Sequence, residues 1–177
     1  MRARNRTIVV RRAPGAPQRG IVSAGNLRLP CALGRSGTTV RKREGDGATP
    51  VATMALMSAW FRPGRMPLPA TRLAVRRTRS GRDGWCDAPT HAAYNRPVRL
   101  PFPASAESMA RDDRLYDFVV VLDWNMRRRG RGLGSAIFLH IARPGYPPTA
   151  GCVAVSPTDM LRLAPLLSTR TRLRVER

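Results

Sequence analysis

Apolar residues occur along the chain in short runs broken by Gly, Pro, Asn and Asp. That is the punctuation of strands rather than of long helices. Residues 6–10, 20–23 and 27–33 read as strands, with Ala24-Gly25-Asn26 a tight turn between the last two. Residues 54–61 form a further strand or short helix. Residues 62–103 are rich in Pro, Arg and Gly, and read as a long ordered excursion with one short strand. A helical turn is predicted over 104–111.

The last third is more explicit. Residues 117–123 (DFVVVLD) are a continuous β-branched run, as in a strand buried on both faces. Residues 127–134 are a basic loop, 136–140 (AIFLH) a second buried strand, 143–151 a Pro- and Gly-bearing loop, and 152–155 a short strand. Ser156 then precedes Pro157 and Asp159, the N-cap, first and third positions of a helix running to about Leu167. Arg172–Val175 alternates and closes the chain as a strand. The pattern predicts a mainly β single domain over 6–177 with one helix near its end, after a basic flexible N-terminus over 1–5.

Composition adds charge. The 177 residues hold 32 Lys+Arg against 11 Asp+Glu, a formal net charge of +21. Such a balance favours nonspecific contact with polyanions. Lys42 is the single lysine, and Arg, Ala, Gly and Pro abound together. GC-rich codons explain that bias better than a binding surface does. A basic nucleic-acid-binding protein is the competing functional class, yet no zinc-finger, helix-turn-helix or RNP signature occurs. No apolar stretch is long enough to span a membrane. Near the start only Ile8-Val9-Val10 is apolar, too short for the core of a signal peptide, about 7–15 residues.

Three cysteines and two histidines are present. None of the cysteines forms a CxxC, so no metal site is expected. Cys31 and Cys86 read either as a disulfide or as two small buried residues. Cys152 is different, because His140 ends one buried strand and Cys152 begins the next, twelve residues on. A thiolate attacks carbonyls, and a nearby histidine can supply it by taking the proton. An imidazolium beside the sulfur would lower its pKa. Gly151 lets a substrate backbone approach, and the N–H groups of Gly151 and Cys152 can hold an oxyanion. Taken alone, a Cys and a His in a β domain are more often packing residues.

The surrounding motifs add weight. Gly134-Ser135-Ala136-Ile137-Phe138-Leu139-His140 followed by Thr149-Ala150-Gly151-Cys152 resembles the catalytic segment of the L,D-transpeptidase (YkuD-like) family. Gly45-Asp46-Gly47-Ala48-Thr49-Pro50 resembles that family's Gly-x-x-Thr-Pro turn. Gly84-Trp85-Cys86-Asp87 and Tyr94-Asn95-Arg96-Pro97 resemble a short bacterial branch of it. The resemblance implies a β-sandwich-type domain with a short helix after the nucleophile. It also implies Cys152 as nucleophile, His140 as general base, no cofactor, and peptidoglycan stem peptides as partners. Thr149, Tyr94, Asn95 and Arg96 are candidate substrate contacts. The family's setting is the cell envelope or periplasm, while the missing signal-peptide core leaves a cytoplasmic location open. Three positions depart from the family pattern: Ala150 stands for the motif histidine, Ala154 for Arg or Asn, and Ala52 for Gly. A catalytically lapsed scaffold of the same fold is therefore a further alternative.

Overall fold

A computed structural model describes residues 7–177; the basic N-terminus over 1–5 and Arg6 lie outside the described residues. Fourteen strands occur in chain order. The first group is β1 (Thr7–Ala13), β2 (Ala16–Ala24), β3 (Leu27–Ala32), β4 (Thr38–Thr39), β5 (Thr49–Pro50) and β6 (Thr53–Phe61). The excursion adds β7 (Val75–Arg77), β8 (Asp83–Cys86), β9 (Arg96–Arg99) and β10 (Ala106–Ser108). Then come β11 (Phe118–Leu122), β12 (Phe138–Ile141) and β13 (Val153–Val155), helix α1 (Pro157–Leu163) with a 3-10 turn over Ala164–Leu166, and β14 (Arg172–Val175).

The main sheet has the order β11-β12-β13-β3-β2-β1-β14-β6-β7, and β11 also pairs with β6. That last pairing closes the sheet on itself. Its inner face carries Leu29, Leu56, Phe118, Val120, Leu139 and Val153, all 1% exposed or less. Helix α1 adds Met160 and Leu163 to this core. Ser156 caps the helix as expected: its Oγ accepts the Asp159 N–H at 3.1 Å, and Pro157 needs no partner for the N–H it lacks.

Two expectations for the middle of the chain are corrected. The excursion folds into a second, three-stranded sheet of order β10-β8-β9. Residues 106–108, expected as a helical turn, are strand β10, paired antiparallel with β8. Residues 54–61 are strand throughout. The small sheet covers the outer face of β6, β11 and β12, where Trp60, Trp85, Met109, Val119, Val121 and Phe138 form a second buried cluster. Trp85 meets Phe138 edge-on at 5.1 Å. The β-branched run at β11 is thus buried on both faces, which is why it shows no alternation. Trp60 and Trp85 are both buried, 3% and 2% exposed.

Cys31 and Cys86 are both buried and free. They belong to different sheets, so the packing reading holds and the disulfide does not form.

Candidate active site

Strands β12 and β13 run parallel, with Leu139 opposite Val153 and His140 opposite Ala154. Side chains alternate across a strand, so Phe138, His140, Cys152 and Ala154 all point to the outer face. There the sulfur and the imidazole line one cavity of about 590 Å³. The 143–151 loop connects the two strands and is pinned along the cavity rim. Thr149 N–H donates to the Leu33 carbonyl at 2.8 Å, and Arg35 N–H donates to the Thr149 carbonyl at 2.9 Å.

The turn before the sulfur is held by two threonines. Thr149 Oγ1 accepts the Gly151 N–H at 3.1 Å and donates to the Cys152 carbonyl at 2.7 Å. Thr49 Oγ1 lies 3.4 Å from the same carbonyl and accepts the Gly34 N–H at 2.9 Å. The Gly45–Pro50 motif therefore acts as a seat beneath the loop that carries Cys152. Asp46 shapes it by accepting the N–H groups of Arg43 and Ala48 and by pairing with buried Lys42. Gly151 has φ +136°, and a Cβ there would stand 2.8 Å from the Ala48 carbonyl. Gly151→Ala is expected to cost on the order of 2–4 kcal/mol, from backbone strain plus overlap. Thermal unfolding should report it as a clear drop in Tm; an unchanged Tm would mean the loop is slack enough to shift.

Cys152 is 6% exposed and His140 is 3% exposed. The Cys152 thiol donates to the Ala136 carbonyl at 3.2 Å and accepts the Phe138 N–H at 3.3 Å. Burial pushes its pKa up to about 12, against a smaller lowering by the Phe138 N–H. Burial likewise lowers His140 to about 4. The expected imidazolium is thus corrected: at neutral pH the two are a neutral thiol and a neutral imidazole. His140 Nδ1 lies 2.8 Å from the Ile141 carbonyl, to which it donates as Nδ1–H. That tautomer leaves Nε2 with a lone pair, as a proton acceptor requires. The Tyr116 ring lies edge-on to the imidazole, centroids 5.3 Å apart.

Of the two proposed oxyanion donors, the Gly151 N–H is already taken by Thr149 Oγ1. The Cys152 N–H has no hydrogen bond among the described residues and is the one free to meet an oxyanion. The expected substrate contacts are also placed differently. Thr149 does line the cavity, but its hydroxyl is committed to the turn. Tyr94 is buried and donates to Glu44, and Asn95 is 1% exposed with both side-chain polar atoms engaged by protein. Arg96 donates to the Met126 carbonyl at 3.0 Å and lines a separate groove beside Trp60. None of these three borders the cavity of Cys152.

The cavity wall instead comes from residues the sequence did not single out. Glu107 accepts the Tyr116 hydroxyl at 3.0 Å and Arg111 at 2.8 Å. Burial, only partly offset by these partners, leaves its pKa above the usual carboxylate value. Arg111 and Arg143 both reach Asp113. Arg35 stands on the same lining. Glu107 falls in the stretch misread as a helical turn, and the arginines were indistinguishable from the general excess. Ala150 is exposed at the rim and Ala154 is buried in the wall, both on the cavity. Among the described residues no cluster of His, Cys, Asp or Glu is arranged to hold a metal ion.

Over residues 7–175 the sequence matches the family model of the L,D-transpeptidase catalytic domain. The chain belongs to that family. A search of curated proteins finds no match. Among solved structures it is similar to L,D-transpeptidase 1 of Mycobacterium tuberculosis, at 13% identity and TM-score 0.41, covering 96% of this chain and 62% of that one. It is similar to an L,D-transpeptidase of Mycobacterium smegmatis at 11% identity and TM-score 0.46, covering 98% and 59%. L,D-transpeptidase 3 of M. tuberculosis, solved with a faropenem-derived adduct, is 13% identical with TM-score 0.44, covering 97% and 61%. The chain therefore spans less than two thirds of the length of each of these L,D-transpeptidases. The mainly β architecture with one short helix after Cys152 accords with the family expectation.

Proposed function

We propose that the protein is a cysteine acyltransferase acting on peptidoglycan stem peptides in the cell envelope. The observation that carries this reading is the placing of Cys152 and His140 on one face of adjacent parallel strands, opening into a single cavity. Membership of the L,D-transpeptidase family supplies the substrate class. Among the described residues no helix is long and apolar enough to cross a membrane.

His140 Nε2 takes the thiol proton as the sulfur attacks the carbonyl of the third stem residue, a diamino acid. The Cys152 N–H holds the oxyanion. The C–N bond to the terminal D-alanine breaks, and the imidazolium returns its proton to the leaving amine. An amine of a second stem then attacks the thioester, giving a cross-link; water in its place gives a carboxypeptidase. His140 serves as base for this second attack, and the thiol is regenerated. Because thiol and imidazole are both neutral at rest, proton transfer accompanies attack rather than preceding it.

Incubation with a disaccharide-tetrapeptide tests the reading. Mass spectrometry should find release of D-alanine with formation of a dimer or a tripeptide. A fully intact substrate, with Cys152 alkylatable throughout, would instead favour the lapsed scaffold.

A further inference from the structure

Asn95 is engaged on every side. Its Oδ1 accepts the Trp85 Nε1–H at 3.0 Å and the Ala136 N–H at 3.1 Å, and its Nδ2 donates to the Trp124 carbonyl at 2.9 Å. Its backbone N–H donates to the Cys86 carbonyl at 2.8 Å. Both ends of the central contact are unusual. Asn95 has φ +57° and Ala136 has φ +51°. Asn tolerates the left-handed region; Ala enters it only at a steric cost, and holds it only where its surroundings fix it.

The strained residue is the one that touches the sulfur. Ala136's carbonyl accepts the Cys152 thiol proton at 3.2 Å, while Phe138, two residues on, donates its N–H to the same sulfur. Turning Ala136 out of the left-handed region would swing its carbonyl off the sulfur. The Asn95 side chain, in the turn before β9 and 41 residues earlier, is what holds the N–H of Ala136.

We propose that Asn95 is a positioning residue for the nucleophile, fixing through Ala136 the carbonyl that accepts the Cys152 S–H hydrogen bond and so the direction in which the sulfur points. This rests on the reading of Cys152 as the nucleophile. The clasp has two effects. It aims the sulfur, and it favours thiol over thiolate, because a carbonyl that accepts S–H repels S⁻. Asn95 thus serves the reaction without meeting the substrate.

Glu107 of β10, Lys42 before β5, Arg111 and Tyr116 also bear on the Cys152 titration, and His140 lines the same cavity. None of these hydrogen-bonds to Asn95, so substitutions at 95 leave them in place.

The test uses the full chain and reads the pH dependence of Cys152 alkylation by iodoacetamide, followed peptide by peptide in a mass spectrometer, beside kcat/KM on a tetrapeptide stem. Asn95→Gly suits φ +57° and deletes only the side chain. It should lower the alkylation midpoint by about one pH unit, since the carbonyl opposing the thiolate is released. Turnover should fall on the order of 10- to 100-fold, the usual result of a misaimed reacting atom. Asn95→Asp keeps the oxygen that receives Trp85 and Ala136, and should not lower the midpoint. Trp85→Phe removes one donor to Asn95 but leaves the Ala136 contact; it should lower Tm without moving the midpoint. The proposal is overturned if Asn95→Gly leaves the midpoint where Trp85→Phe leaves it, or if Asn95→Asp lowers it as Asn95→Gly does. Should Asn95→Gly not fold, Asn95→Ala, which also removes the acceptor from the Ala136 N–H, carries the same expected shift and the same overturning result. Alkylation is read on Cys152 itself, so a wild-type chain inert toward stem peptides would sink the functional reading and leave this test standing.

Discussion

Cys152→Ser is expected to keep the fold and lose the reaction. A serine hydroxyl can occupy the place of the thiol, donating to the Ala136 carbonyl and accepting the Phe138 N–H, so both contacts survive. It is a far weaker nucleophile, and its neighbour His140 is a weak base with pKa about 4. Turnover should fall on the order of 10⁴-fold or more, to what binding and the oxyanion contact supply alone. Cys152→Ala should do the same and, having removed a buried sulfur, should cost about 1 kcal/mol of stability, a few degrees in Tm for a chain of this size. Mass spectrometry should find an acyl adduct on the wild type and none on either variant. Turnover near the wild-type rate in Cys152→Ser would remove the sulfur from the mechanism.

His140→Gln tests the proton transfer. Acylation should slow roughly 10²- to 10⁴-fold, the worth of a positioned base. His91→Ala should be near neutral, since that imidazole packs on Phe102 away from the cavity. The same variant carries a stability signature. The folded state holds His140 neutral down to about pH 4, whereas an unfolded histidine takes a proton near 6.5. As pH falls through that window the unfolded chain binds the extra proton, so the wild type loses up to about 3 kcal/mol of stability. Above pH 6.5 the contribution is complete. In His140→Gln this contribution to the slope over that window should vanish. Equal acid sensitivity in both chains would mean that His140 is not held neutral in the folded state.

How much of this could be read beforehand follows from what each stretch packs against. Residues 118–122 and 138–141 were legible as strands because both faces are covered, and apolar runs of that length have few other uses. Helix α1 was legible from Ser156, Pro157 and Asp159, whose capping roles are local. Cys152 and His140 stood out through motif residues, and the structure places them in the same phase on neighbouring strands. The excursion was not legible. Val75–Arg77 is exposed at every position, and Asp83–Cys86 has no periodicity because tertiary contacts bury all four residues. Without that sheet there was no means of seeing that Asn95 would reach Ala136, or that Glu107 would enter the wall of the site. The charge state of His140 was missed for a similar cause: burial, not sequence, sets it.

Because β12 and β13 are parallel neighbours, their pairing, not the loop that joins them, brings His140 and Cys152 together. The number of residues between the two is therefore a free variable. Segments can be inserted or deleted at the exposed loop tip around Pro144 and Gly145 without altering the chemistry, provided each residue keeps its odd or even place on its own strand. A search keyed to a twelve-residue spacing would overlook sequences built on the same plan. One keyed to parity, an imidazole and a thiol on the same side of two paired strands, would find them.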